Sequence, residues 1–560
     1  MSTSAAPAQQ DLAAGPLPGA GAASLFVLAV ALVLRLFHVL AIFRSSPFFD
    51  VLPGDLGAYD RWAQSIVQEG WLGKEIFYQD PLYPYFLAAI YSVLGRSLVA
   101  VYLIQSLLGA ATASLLVPLG DRLGSRAAGL TAGLTYAAFA PAIFFDGLLL
   151  KSSLASFLVT ACLAMLLARS PGRPCWRQLA AGALLGLACL TRGNFLLLLP
   201  VLAGLLALGR RTGLGGRLAA STLFVAGSLA VLLPVMARNY VVGHDLVLTT
   251  AQAGQNFFIG QNERATGTYV GLPFVRPDPL YERQDFHREA ERRLGRALSP
   301  SEVSRYWLEE GLRFIRENPK RFAALSWRKV QLYFNFYEIA DNHNFYFHRR
   351  YSPVLAFSPV TFALVGPFWL WGLAVLIRSR TRPALLMAAT QLAYGLTLVA
   401  FYIFDRYRAP MAPLACLAAG IGLADLVAVA RQRRWPRLAG QLALVGLAAV
   451  FVNHTVIPAF DFSHSLVDQG IAFEMKGQPE KALASYQEAL AVQPLYARAW
   501  ERRGRLELGL GRLDEARASL RRALELDPRG AQEARRSLWH LEQRLPRREQ
   551  QESQGGSESR

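Results

Sequence analysis

Cysteine is scarce in this 560-residue chain: there are four, Cys162, Cys175, Cys189 and Cys416. They show no disulfide or metal-ligand spacing, and in the topology derived below they fall in membrane spans or on the cytoplasmic side, so a disulfide framework is excluded. Basic residues are missing from positions 1–22, a stretch rich in Ala, Gly and Pro. Their absence excludes a signal-peptide n-region and leaves a disordered N-terminal tail. Histidine offers no metal site either. His343 and His348, in Asp341-Asn342-His343-Asn344-Phe345-Tyr346-Phe347-His348, lack a ligand spacing and read as structural or substrate-lining. No cofactor is called for, and a divalent cation stays an open alternative to basic side chains.

What the chain has in abundance is apolar sequence. Hydrophobic residues make up 53% of it, gathered into runs of about 20, the length a helix needs to cross a bilayer. Spans are expected near 23–43, 98–119, 127–145, 152–168, 178–191, 194–208, 218–241, 354–378, 384–404, 409–430 and 438–460. The fold class is therefore all-α: a polytopic membrane protein with about eleven transmembrane helices. Residues 84–95 are apolar but, at about 12 residues, too short to cross; they read as a second interfacial helix after an amphipathic one beginning at Asp55. In that first helix Leu56, Tyr59, Ala63, Ile66 and Val67 form the apolar face, and Asp60, Arg61, Gln64 and Gln68 the solvated one.

The net charge of +18 suggests nucleic acid only until its distribution is mapped. Basic clusters fall at 121–126, 169–177, 210–217, 378–382 and 431–437, the five cytoplasmic connections of an eleven-span protein with a cytoplasmic N-terminus. Topology accounts for the charge, and no nucleic-acid partner is called for. The alternation places 44–97, 146–151, 192–193, 242–353, 404–408 and everything after 460 on the extracytoplasmic side, as expected of a multi-pass protein of a bacterial cytoplasmic membrane. Within the long segment 242–353, residues 282–296 and 302–317 have the pattern of surface-lying helices.

The C-terminal region repeats itself. Gly470, Ala482, Tyr486, Ala489 and Pro494 recur 34 residues later as Gly504, Ala516, Leu520, Ala523 and Pro528, the period and small-large-small pattern of tetratricopeptide helix pairs. The domains are thus a tail at 1–22, a membrane domain at 23–460, a repeat domain at 463–545 with 531–545 as its cap, and a disordered tail at 546–560. Such repeats present a protein-binding surface.

Acids, bases and amides collect at the outer ends of the spans. Asp55, Asp60 and Asp80 lie in the first outer loop; Asp146 and Lys151 flank the second; Arg192 and Asn194 mark the third. Arg238 and Asn239 close the seventh span, and Asp405, Arg406 and Arg408 occupy the short turn between the ninth and tenth. All converge on one face of the membrane. A transporter would instead carry ionisable groups near mid-membrane and a repeated half; here only Arg35 and His38 are obvious intramembrane candidates. A non-catalytic, membrane-anchored repeat scaffold would need neither Asp55 nor the Arg406-Arg408 pair.

Several of these segments, in order over about residues 25–460, resemble bacterial glycosyltransferases of the GT-C superfamily, in the dolichyl-phosphate-mannose protein mannosyltransferase-like branch. They are Asp55 to Tyr59, Pro81-Leu82-Tyr83-Pro84-Tyr85-Phe86-Leu87, Phe145-Asp146-Gly147-Leu148-Leu149-Leu150-Lys151, Leu190-Thr191-Arg192-Gly193-Asn194, Arg238-Asn239-Tyr240, Gly254 to Asn262, and Arg406-Tyr407-Arg408-Ala409-Pro410. The resemblance implies two interfacial helices in the first outer loop and an active site at the outer surface. It also implies a sugar donor on a polyprenyl phosphate and a protein, glycan or lipid acceptor. The family's catalytic acid maps onto Asp55, the candidate general base. Arg406, Arg408, Lys151, Arg192 and Arg238 are the candidates for the lipid phosphate, and Tyr59, Asp146, Asn194, Asn256, Asn262 and Tyr83 for lining the substrate. The chain departs from the family at Leu56, where some relatives carry a second acid, and at Asp80 before Pro81. Trp62, Trp71 and Tyr78 read first as interfacial anchors, with sugar stacking as the alternative.

Overall fold

A computed structural model describes residues 19–168, 176–208, 213–276, 279–457, 461–528 and 530–555. Among them every regular element is helical. The expected N-terminal tail lies almost wholly outside the described residues, as does Cys175. The chain divides into two compact units. One comprises Met1–Ala41, Gly54–Asp341 and Ser352–Val456; the other comprises Ile42–Pro53, Asn342–Tyr351 and Ile457–Arg560.

In the first unit, seven helices among the described residues are long and apolar enough to cross a membrane. A bent pair, Arg126–Ala137 and Ala140–Asp146 at 55° to one another, is long and apolar enough to count as an eighth when taken as one broken span. The break is local: Pro141 opens the second helix and cannot continue the first one's hydrogen-bond ladder. The three remaining predicted spans form the shorter helices Ser152–Leu167 and Trp176–Thr191 and a 3-10 turn, Gly193–Leu197, running into Leu198–Ala207. Where the sequence places one span at 354–378, a short helix Pro353–Phe357 precedes the crossing Phe362–Ser379.

Small residues let these helices touch backbone to backbone. A Cβ on Gly182 would lie 1.9 Å from the Phe224 carbonyl oxygen, and one on Gly227 2.0 Å from that of Leu179. Trp176–Thr191 and Leu214–Gly243 therefore pack at a distance only glycine permits, the arrangement by which apolar helices associate without a hydrophobic driving force.

The loop after the first crossing holds helix Asp55–Glu69 and the 13-residue helix Leu82–Leu94. At 1.5 Å per residue the latter reaches about 20 Å, short of a crossing. One expectation is overturned here. Asp60, assigned to the solvated face, is only 5% exposed. It accepts the Tyr91 hydroxyl at 2.8 Å and pairs with Arg96 at 2.9 Å, because the second interfacial helix folds back over that side of the first.

The long segment after Gly243 carries helices Ala253–Gly260, Pro279–Leu294, Pro300–Glu317 and Pro319–Phe334. Pro300 and Pro319 stand in the first turn, where a missing N–H costs nothing. Ser299 and Glu302 close a capping box. Trp307 forms a small aromatic core there, stacked on Phe274 at 5.2 Å and donating its indole N–H to the Phe286 carbonyl at 3.1 Å.

In the second unit the repeat becomes two helix pairs, Ser463–Met475 with Pro479–Val492 and Ala497–Gly509 with Leu513–Leu526. A Cβ on Gly470 would sit 2.3 Å from the Tyr486 ring, and one on Gly504 2.8 Å from the Leu520 side chain, which explains the glycine-to-large pairing 16 residues on. The last helix, Gln532–Gly555, continues ten residues past the expected boundary at 545. Phe48, Val51, Phe347 and Tyr351 join the repeat's own core beside Leu466 and Val467. His343 and His348 sit here too, their rings 5.5 Å apart, beside Phe48.

Candidate active site

Gly54, with φ of 60°, turns the chain into helix Asp55–Glu69 and places Asp55 at its first position. A carboxylate there meets the unpaired N–H groups of the first turn, so the position suits an anion for local reasons alone. Asp55 also has a distant partner. One terminal nitrogen of Arg406, on the four-residue helix Asp405–Arg408, pairs with its Oδ2. The other pairs with Asp341 and donates to the Tyr407 hydroxyl at 3.3 Å. The Arg406 side chain is 15% exposed, and its buried Nε has no hydrogen-bond partner.

A second layer holds this arginine in place. Arg192 donates to the Arg406 carbonyl oxygen at 2.6 Å, and the Ser152 hydroxyl donates to the same oxygen at 3.3 Å. The Arg192 guanidinium lies 5.0 Å from the Tyr407 ring centroid, and its buried Nε is likewise without a partner. Beside it Lys151 pairs with Asp80, whose Oδ1 accepts the Gly193 backbone N–H at 3.2 Å. Burial pushes the Lys151 ammonium pKa down, and Asp80 opposes the shift. Three carboxylates and three cations from six different stretches of sequence thus form one charge-balanced group.

The aromatic and amide candidates surround it. Lys151 lies 6.0 Å from the Tyr59 ring, and Tyr59 meets Tyr83 edge-on at 5.4 Å. The Tyr83 hydroxyl donates to Gln105 at 2.7 Å. Asn194 donates to Thr397 at 3.1 Å, and Asn256 accepts the Tyr402 hydroxyl at 3.0 Å.

Four candidates sit elsewhere. Arg408 pairs with Glu338 at 2.7 Å, with both side chains 5% exposed or less, and donates to the Tyr333 carbonyl at 3.2 Å. Asp146 pairs with the intramembrane Arg35 at 2.6 Å. Arg238 donates to the Leu72 and Glu75 carbonyls at 2.7 and 2.6 Å and lies 3.8 Å over the Phe77 ring. Asn262 ties its own turn, donating to the Phe258 carbonyl at 2.8 Å and accepting the Arg264 N–H at 2.7 Å.

Two acids near Arg406 carry no warning in the sequence. Asp341 follows an aromatic run, and Glu282 opens what reads as a charged surface helix. Glu282 accepts the Tyr78 hydroxyl at 3.2 Å. Burial, with Asp55 and Asp341 adding to it against Tyr78 and Arg406, lifts its carboxyl to about 7. A further titratable group, Lys329, is fully buried and donates to the Gly260 carbonyl at 2.7 Å; burial lowers its ammonium to about 7. Among the described residues no group of three or more His, Cys, Asp or Glu side chains is arranged to hold a metal ion.

Residues 79–238 match the family model described as dolichyl-phosphate-mannose-protein mannosyltransferase, and residues 467–531 match a tetratricopeptide repeat. No curated protein matches the chain. Among solved structures it is similar to ArnT from Cupriavidus metallidurans bound to undecaprenyl phosphate. That match has 16% identity and a TM-score of 0.43 over 92% of this chain and 75% of that one. It is also similar to the archaeal oligosaccharyltransferase AglB from Archaeoglobus fulgidus in complex with an inhibitory peptide and a dolichol-phosphate, at 12% identity and a TM-score of 0.43. There the match covers 83% of this chain and 59% of AglB, so this chain spans less than two thirds of that protein.

Proposed function

We propose that this chain is a membrane glycosyltransferase moving a hexosyl or pentosyl group from a polyprenyl-phosphate donor to an acceptor hydroxyl. The reaction takes place at the extracytoplasmic face of a bacterial cytoplasmic membrane. The observation that carries the reading is Arg406, whose guanidinium pairs with Asp55, a carboxylate suited to taking a proton, and whose backbone carbonyl holds Arg192, a second cation suited to a phosphate. The family match at 79–238 supports it, since Asp80, Lys151 and Arg192 all lie inside the matched segment.

The chemistry follows from these groups. A hydroxyl is a weak nucleophile at neutral pH, and Asp55 takes its proton as the new C–O bond forms. The bond from the anomeric carbon to the phosphate oxygen breaks with its electron pair going to the lipid phosphate. Arg406 and Arg192 each keep a buried, unpartnered Nε, and a guanidinium binds phosphate through two parallel N–H bonds. A donor phosphate entering the group competes with Asp55 for Arg406 and leaves the carboxylate free to accept the hydroxyl proton. Lys151 adds positive charge where the leaving group gains negative charge. The tetratricopeptide repeats recruit a protein partner or present a protein acceptor.

The test is Asp55→Asn in cells, with glycan and lipid profiling against wild type. Normal insertion with loss of one glycosylated product is expected and would name the acceptor class. Wild-type product levels in that variant would remove Asp55 from its role.

A further inference from the structure

A groove of about 750 Å³ runs along the Asp55–Glu69 helix, outside the ion-paired group. Its floor is a chain of rings. Trp62 lies 5.8 Å from Phe77, Phe77 5.9 Å from Tyr85, and Tyr85 5.9 Å from Trp71. Aromatic faces of this kind pack against flat apolar surfaces and still leave polar edges in water. A structural explanation accounts for part of the cluster only: Phe77 is buried, whereas Trp71 is 50% exposed.

The rim is basic. Arg61, Lys74, Arg238 and Arg283 line it against only two carboxylates, Glu69 and Glu75. Lys74 is matched by Glu69 at 2.8 Å and Arg283 by Glu75. Arg238 is held by backbone carbonyls, and Arg61 is exposed with no carboxylate partner among the described residues. The two uncompensated charges favour an anion, and the rings favour a molecule with flat C–H faces. A sugar chain bearing uronate or phosphate groups has both properties.

The groove also leads to the chemistry. Gly54 lines it, and the next residue is Asp55; Tyr78 lines it, and its hydroxyl is bonded to Glu282. One end of the groove, at Gly54, therefore lies beside the end of the helix that carries the candidate base. Resting on the glycosyl-transfer reading above, we infer that this groove is the acceptor site and that the acceptor is an acidic glycan.

The experiment uses the full-length protein in detergent on immobilised oligosaccharides, acidic and neutral, with phosphatidylglycerol vesicles as competitor. Acidic oligosaccharides are expected to bind at least tenfold better than neutral ones of the same length. Arg61→Glu, a change at an exposed side chain, should lose tenfold or more of that binding, and Trp71→Ala a comparable amount, with an unchanged thermal midpoint. Equal binding of neutral glycans, retention of binding in both variants, or full competition by the vesicles overturns the assignment, the last in favour of an anionic lipid surface. Transfer is read separately, in Asp55→Asn. If that variant still transfers sugar while the groove binds, the reading of the reaction fails alone. If wild type transfers sugar but binds no acidic glycan, the groove assignment fails alone.

Discussion

Arg406 and Arg408 are separated by one tyrosine, yet they occupy opposite kinds of surroundings. Arg408 is sealed: its carboxylate partner Glu338 is 4% exposed, and backbone carbonyls take other donors. Arg406 is shared between the buried carboxylate of Asp55 and the partly exposed one of Asp341, and keeps a buried donor unused. A short helix turns neighbouring side chains by about 100° each, so residues two apart point to different sides. One side meets Glu338 and the Tyr333 carbonyl, and the other meets Asp55 and Asp341. Under the proposed function, the comparison separates a cation that holds the fold from one that meets a substrate, although both have the same chemistry.

The comparison can be broken most sharply at its sealed member. Arg408→Met leaves Glu338 as an uncompensated buried charge and should cost about 3–5 kcal/mol of stability, seen as a lower thermal midpoint in detergent. Restoration by the double change Arg408→Met with Glu338→Leu would confirm the structural role; no loss in the single variant would place Arg408 outside the core. Arg406→Gln should act on catalysis instead. Loss of one preorganised donor to a developing oxyanion costs about 10²-fold, measured as turnover of a short-chain polyprenyl-phosphate sugar by purified protein. A drop in stability as large as that of Arg408→Met would erase the distinction.

Smaller effects follow from pH. The carboxyl of Glu282 titrates at about 7 in the folded chain, above the ordinary carboxylate range of about 4.3. Its ionisation therefore costs stability that begins above the ordinary range and is complete above pH 7. Glu282→Gln should raise the thermal midpoint relative to wild type at pH 8 and leave it unchanged near pH 4. Lys329 has the opposite sign. Its ammonium is lowered to about 7, so the cost of burying the charge is complete below pH 7 and fades as pH rises towards the ordinary value. Lys329→Met should gain most at pH 6 and least near pH 10. Smallest of all is Arg96→Ala: Arg96 is 44% exposed, and the Tyr91 hydroxyl and Gln64 still donate to Asp60, so the loss should be about 0.2–1 kcal/mol. A much larger loss would show that Tyr91 and Gln64 do not compensate the buried Asp60 without Arg96.

The spans were legible because apolar runs of about 20 residues have few other uses. The repeat was legible because a 34-residue period keeps Gly470 against Tyr486 and Gly504 against Leu520. Asp55 stood out through its place at the start of an amphipathic helix, a local signal. Its partners did not stand out. Asp341 and Glu282 come from a long segment whose pattern says only helix and turn, and their approach to Arg406 depends on how that segment folds back. Asp60 misled for a related reason. Its helical face is polar by pattern, and only Tyr91 on the next helix and Arg96 just after it decide that this face is covered.

By itself the sequence determined that this chain crosses a membrane many times and ends in helix-pair repeats, because hydrophobic length and periodicity act within single elements. The tertiary structure alone decided which charges meet. Arg406 joins Asp55 and Asp341, Arg408 joins Glu338, and Arg35 joins Asp146. Pairing across 65 to 351 positions leaves no local trace, since any buried cation satisfies its requirement with whichever carboxylate the packing of helices brings within reach.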